Sequence, residues 1–256
     1  MFELSSLGWS AVVLAALLVG ITKTGIPGVG ILAIPLLAEV LPARASVGAM
    51  LPLLIFADLF AIVYYRRSVV WRHVLRLLPA VFVGIVVGYL LMGIVNDKQL
   101  KPIIGAILLV MLGVNFWWTR RRGSDAKVPT QWWFASGLGL AAGITTTMAN
   151  AAGPIMIIYL LAMRLPKTEF IGTGALYFFI GNWVKVPFFL SLNLITIESL
   201  KFDLMLFPAI AVGAVAGVLI LKRIPQKAFK TVVEGLAVIA SLHLLLSPLI
   251  EMLKSG

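Results

Sequence analysis

Two lysines, one aspartate and two groups of threonines stand inside otherwise apolar stretches of this chain. Lys23 lies within Gly20-Ile21-Thr22-Lys23-Thr24-Gly25-Ile26-Pro27-Gly28-Val29-Gly30, where two hydroxyls, a charge, a proline and four glycines interrupt an apolar run. Lys185 lies inside a second apolar run, three residues after Asn182, and so on nearly the same helical face. Asp58 lies deep in a third. If these runs cross a bilayer, a lysine near its centre costs about 2.5–3.5 kcal/mol on insertion scales, and such a residue is functional by default.

The chemistry these residues suit is anion binding. Backbone released from a helix at membrane depth is tolerated only where protein buries it or where it lines a water-filled cavity. A new helix starting near Gly28 and Gly30 would point unpaired amides and the positive end of its dipole into that cavity. A second such start is expected near Ala151 and Gly153. Thr22, Thr24, Thr145, Thr146 and Thr147 add hydroxyl donors, Asn150 an amide and Lys23 a charge. The plainer alternative is that the threonines cap released carbonyls and the glycines permit tight packing. Lys185 is either a second substrate cation or a structural partner of the obvious acid, Asp58. Asp58 is either that partner or a proton carrier.

Catalysis finds little support. His73 and His243 have no metal-ligand spacing with another His, Asp or Glu, so no metal is expected. No Ser, His and Asp set stands at readable spacing. The chain lacks cysteine, which excludes thiolate sites and disulfides. No cofactor is implied.

The elements that must position these groups follow from composition. With 61% hydrophobic and only 12% charged residues, and a mean hydropathy of +1.05, the chain reads as an all-α polytopic membrane protein and not as a soluble domain. Its formal net charge of +11 would suggest nucleic acid in a soluble protein. Here Lys and Arg sit in short clusters between apolar runs, so the charge reports orientation and no nucleic acid is expected. Met1-Phe2-Glu3 lacks the basic region of a secretory signal, and the first apolar segment is expected to stay attached.

Spans of roughly the required 20 residues are predicted at 46–65, 74–95, 100–118, 170–192, 204–221 and 229–250. Trp71, Trp117, Trp118, Trp132 and Trp133 mark span ends as interfacial anchors. The pieces around the two polar stretches, 7–21 with 31–41 and 132–144 with 155–163, are each too short to span alone. Each pair is either one long unwound helix or a re-entrant hairpin. Loop charge favours the hairpins. Basic clusters at Arg66, Arg67, Arg72 and Arg76, at Arg120, Arg121, Arg122 and Lys127, and at Lys222, Arg223, Lys227 and Lys230 should all be cytoplasmic. If both segments simply spanned, the third cluster would lie on the side opposite the first two; with both re-entrant, all three fall on one side, which puts both termini outside.

The chain also repeats itself. About 123 residues after the first polar stretch comes Gly143-Ile144-Thr145-Thr146-Thr147-Met148-Ala149-Asn150-Ala151-Ala152-Gly153-Pro154, again entered by Gly-Ile-Thr-X-Thr. Leu41-Pro42 answers Leu165-Pro166, Gly48 answers Gly172, and Asp58 falls opposite Asn182. Further on, Pro79 falls opposite Pro208, and Gly84 and Gly88 opposite Gly213 and Gly217. These glycine pairs, spaced by four, suit close helix contact. The expected organisation is a first half at 1–122, a cytoplasmic linker at 123–131 and a second half at 132–256. Each half holds one broken or re-entrant hairpin segment and three transmembrane helices. The basic loop of one half matches a mild loop of the other, so the two are inverted-topology repeats, an arrangement of many secondary transporters.

The Gly20 to Gly30 entry, Pro35 and Leu36, the Leu-Pro-Ala-Arg-Ala turn from Leu41 to Ala45, Gly48 and the repeat from Gly143 to Pro154 resemble the sulfite exporter TauE/SafE family of membrane transporters. The resemblance covers essentially the whole chain. It implies a multi-pass protein of the cell (inner) membrane that moves a sulfur oxyanion such as sulfite, a sulfonate, sulfoacetate or thiosulfate, and no enzyme. The second copy departs from the pattern, with fewer glycines around Asn150. A proton-coupled secondary transporter is the expectation, with a passive channel or a membrane-embedded enzyme as the alternative.

Overall fold

The computed structural model describes residues 4–95, 132–229, 231–233 and 235. The expected span at 100–118, most of that at 229–250, the basic loop at Arg120 to Lys127, the half boundary and His243 lie outside the described residues. Among those described, the elements are all helices: α1 (Ser6–Thr24), a 3-10 turn (Val29–Leu32), α2 (Ala33–Val40), α3 (Ala43–Tyr65), a second 3-10 turn (Arg66–Ser68), α4 (Trp71–Ile94), α5 (Trp132–Ala149), α6 (Gly153–Ala162), α7 (Lys167–Ser191) and α8 (Ile197–Arg223). Among the described residues, four segments are long and apolar enough to cross a bilayer: α1, Arg44–Ser68, α4 and α8. Helix α7 is 25 residues long but carries Asn182, Lys185 and several glycines on its buried side.

The helices outrun the apolar runs because their ends are capped. The Ser5 hydroxyl accepts the Gly8 amide at the start of α1. A reciprocal capping box of Thr196 and Ser199 starts α8 at Ile197, well before its apolar run. At the other end of α1 the expected break comes late. Thr22, Lys23 and Thr24 remain helical, so α1 has 19 residues and only its returning arm is short. Gly25 ends the helix, its amide donating to the Ile21 carbonyl at 2.8 Å. Pro27 bars continuation, and Gly28 takes φ 100°, a left-handed conformation that suits glycine. The return also starts later than expected: a 3-10 turn fills 29–32 and α2 opens at Ala33. Helix α5 ends on Asn150 at φ 53°, and α6 starts at Gly153 with a proline in its first turn.

Both broken segments fold back on themselves. Gly8 meets the Val40 side chain and Gly30 meets Thr22, so α2 runs back along α1. In the second segment, His73 Nδ1 in the first turn of α4 lies 3.0 Å from the Tyr159 hydroxyl of α6. Since α4 and α5 run parallel, this brings α6 back toward the start of α5.

Two parallel helix pairs form the body. In α1 and α8, a Cβ on Gly20 would run into Ile210 O, one on Gly213 into Leu17 O and one on Gly25 into Gly217 O. In α4 and α5, a Cβ on Gly84 would strike Leu140 O and one on Gly143 would strike Val81 O. Missing side chains let the backbones approach, which is how helices pack in a solvent as apolar as their own side chains. Between the pairs, α3 and α7 cross antiparallel: Gly48 abuts Leu194 at one end, Gly172 abuts Tyr65 at the other, and Asp58 meets Asn182 in the middle.

Charges hold the helix ends. Arg44, at the start of α3, donates to the Met92 and Val95 carbonyls that close α4. Lys167, at the start of α7, donates to the Leu221 and Ile224 carbonyls that close α8. Both satisfy carbonyls left without helical partners. Lys222 Nζ lies 5.4 Å over the Tyr64 ring, so the basic clusters at Arg66 and Arg67 and at Lys222 and Arg223 share one end of the molecule. Trp71 and Trp132 open α4 and α5 and are exposed.

Candidate functional site

The turns of the two hairpins line one cavity of about 100 Å³. One water needs about 10–15 Å³ measured in the same way, so the space admits a small ion with some of its water. From the first hairpin come Thr22, Lys23, Gly28 and Gly30, and from the second Thr146, Asn150, Ala151 and Gly153; α7 adds Asn182. Phe178, Gly174 and Ile171 continue the wall along α7 toward its start, the end that carries the basic clusters.

The threonines divide into two sets by what their hydroxyls do. Thr24 Oγ1 donates to Ala214 O at 2.7 Å and lies 3.1 Å from Gly20 O. Thr145 donates to Ala141 O and Thr147 to Gly143 O, each one turn back in α5 at 2.9 Å. These three satisfy backbone carbonyls and do not line the cavity. Thr22 donates to Ile26 O across the turn at 3.2 Å while facing the cavity. Thr146 makes no hydrogen bond of this backbone kind among the described residues and accepts from Lys185.

Two lysines and one acid form a buried chain beside the cavity. Lys23 Nζ is 2.7 Å from Asp58 Oδ1, and the pair is 7% and 0% exposed. Asn182 donates from Nδ2 to Asp58 Oδ2 at 2.7 Å, and Lys23 lies 4.1 Å over the Phe178 ring. Asp58 therefore pairs with Lys23. The alternative in which Asp58 balances Lys185 is not what the packing forms, because the α3 and α7 crossing turns Asn182 to the carboxylate and leaves Lys185, a turn further on, against the second hairpin.

Lys185 is fully buried and has neutral partners: Thr146 O at 3.1 Å, Thr146 Oγ1 at 3.0 Å and Asn150 Oδ1 at 2.7 Å. The Asn150 amide is oriented by its other end, where Nδ2 donates to Val47 O at 2.9 Å. Oδ1 must then face Lys185. Three acceptors around one nitrogen match the three donors of an ammonium. Its charge has no counter-ion among the described residues, and Thr146 and Asn150, which hold it, themselves line the cavity.

Sequence reasoning did not single out four residues that shape this region. Phe178 covers Lys23, and the Tyr65 hydroxyl donates to the Thr24 carbonyl at 2.8 Å where α1 ends. Arg44 and Lys167 brace the helix ends. The last two had a legible signal, since each stands within two residues of the Leu-Pro pairs that mark corresponding positions of the halves. No group of His, Cys, Asp or Glu suited to a metal occurs among the described residues.

The family model for the sulfite exporter TauE/SafE matches residues 12–244, most of the chain. The chain belongs to the TauE/SafE family. The match includes both hairpin turns and both lysines, so the residues lining the cavity all lie within the matched part. Together with the apolar helices it makes this a multi-pass membrane protein of a transport family named for sulfite export. No curated protein and no solved structure matches the chain.

Proposed function

We propose that this protein is a secondary transporter for a small sulfur-containing anion of the sulfite, sulfonate, sulfoacetate or thiosulfate type, working by alternating access and coupled to protons through Asp58. The observation that carries the reading is Lys185: a buried ammonium held by neutral groups that also face a cavity between two hairpin turns. A fixed charge alone in a low-dielectric interior attracts an anion strongly. Lys23, Thr22, Thr146 and the backbone at Gly28, Gly30, Ala151 and Gly153 are the remaining ligands of the proposed site, with Asn182 at its floor.

The two halves, 1–122 and 132–256 joined by the linker at 123–131, act as inverted repeats in this reading. Exchange of the halves maps the α1 and α8 pair onto the α5 and α4 pair, Gly20 with Gly213 onto Gly143 with Gly84, and the Arg44 brace on Met92 and Val95 onto the Lys167 brace on Leu221 and Ile224. It also carries α3 onto α7, which runs the opposite way. That pattern supports inversion and favours alternating access. The protein resides in the cell membrane with its basic loops in the cytoplasm and both termini outside.

The test is flux of labelled sulfite and labelled sulfonate into liposomes holding the purified protein, with and without a proton gradient. The expected result is saturable uptake of both anions, with that of sulfite driven by the gradient. Flux that neither saturates nor responds to the gradient is that of a channel and would overturn the proposal.

A further inference from the structure

Among the described residues, the buried charges beside the cavity do not balance. Lys23 and Asp58 cancel as a 2.7 Å ion pair, whereas the Lys185 ammonium meets carbonyl, hydroxyl and amide oxygens. With Lys185 as an ammonium, the described side chains beside the cavity sum to one net positive charge, out of contact with solvent. A ligand with one negative charge removes it. A ligand with two leaves an excess negative charge in the same low-dielectric space, at a cost of the kind that holds uncompensated charges out of protein interiors.

From this balance we infer that the site accepts one negative charge at a time: a singly charged oxyanion such as a sulfonate or hydrogen sulfite binds alone, and a doubly charged one such as sulfate binds only together with a proton on Asp58. The inference rests on the anion reading of the cavity and adds which charge state enters and when a proton must accompany it. The proton goes to Asp58 because it is the buried acid in contact with the site. Protonation ends the ion pair with Lys23 and frees that second ammonium for the dianion. The groups facing Asp58 are Lys23 from α1 and Asn182 from α7, with Lys185 further along the same face of α7. From α8, Asp203 is also buried, and neither of its oxygens has a hydrogen-bond partner among the described residues, so it forms no relay to Asp58. No covalent bond changes; one solvent proton is taken up per dianion.

Calorimetric titration of the purified protein with methanesulfonate and with sulfate tests this, each anion in two buffers of different ionisation enthalpy and across a range of pH. For methanesulfonate the expected result is an affinity flat in pH with no proton taken up. Sulfate should take up one proton, its affinity rising about tenfold for each unit the pH falls. In Asp58→Asn sulfate should bind without proton uptake and with no pH dependence, and added sulfate should raise the thermal stability of this variant more than that of the wild type. The wild-type proton counts decide the matter even if the variant does not fold. Equal pH profiles and no proton uptake for both anions would overturn the charge assignment while leaving the anion site in place. One proton taken up with methanesulfonate would mean that Lys185 charges only on binding, and would overturn it as well. If sulfite, methanesulfonate and sulfate all fail to bind, the transporter reading falls and this inference with it.

Discussion

Asn182 donates to Asp58 at 2.7 Å, and the two occupy corresponding positions of the two sequence halves. The centre of the α3 and α7 crossing is thus a contact between a residue and its own counterpart. One side of the crossing has an acid where the other has an amide. That difference lets a hydrogen bond replace the repulsion of two facing carboxylates, and it gives Lys23 a partner that Lys185 lacks.

The pairing of Lys23 with Asp58 sets an expectation for stability. Removing one member of a buried pair leaves an uncompensated charge and costs about 3–5 kcal/mol, whereas removing both is far milder. Lys23→Met should lower the thermal stability of the purified protein sharply, and Lys23→Met with Asp58→Asn should recover most of the loss. Equal losses in the single and double variants would show that the pair is not the relevant contact. Anion binding by the double variant, compared with that by Asp58→Asn alone, then isolates the contribution of the Lys23 charge to affinity.

Asn150 ties the second hairpin to α3 through the Val47 carbonyl. Its position in the first hairpin corresponds to Pro27, and that of Val47 corresponds to Ile171; Pro27 and Ile171 both line the cavity. If the halves act as the proposed inverted repeats, their exchange would open the first contact and close the second. The chain has no cysteine of its own, so a short bifunctional thiol reagent can report each contact alone. Linking Val47→Cys to Asn150→Cys should stop transport and hold the state described here. Linking Pro27→Cys to Ile171→Cys should trap the opposite state, and full transport after either link would argue against alternating access.

The glycine contacts should tolerate no side chain. Gly20→Ala, Gly213→Ala, Gly84→Ala and Gly143→Ala each place a methyl group against backbone of the facing helix. Overpacking of this kind costs about 1–3 kcal/mol. A Cβ on Gly93 would meet nothing within 4 Å among the described residues, and Gly93→Ala should change thermal stability by less than about 0.5 kcal/mol. Thermal unfolding in one detergent compares the set.

Orientation can be read with the same cysteine-free background. Glu198 opens α8 and Arg223 closes it. An impermeant thiol reagent added to intact cells should label Glu198→Cys and spare Arg223→Cys. Strong labelling of Arg223→Cys from outside would place a basic cluster on the wrong side and remove the basis for the topology.

Local chemistry made much of this protein legible in its sequence. Apolar runs long enough to cross a bilayer and two polar, glycine-rich interruptions define helices and their breaks, because helix length and chain reversal depend on neighbours a few residues away. Family membership, carried by the same stretches, was legible for the same reason. Which charges meet was not. Lys23 and Lys185 both lie within apolar surroundings in the sequence, and either could have faced Asp58. The choice fell to Lys23 because α3 and α7 cross at Asn182, a relation between residues far apart in the chain. Nor could sequence tell Thr146, which turns to Lys185, from Thr145 and Thr147, which bond back to their own helix. A threonine's hydroxyl can serve either purpose, and only the helix packed against it decides which.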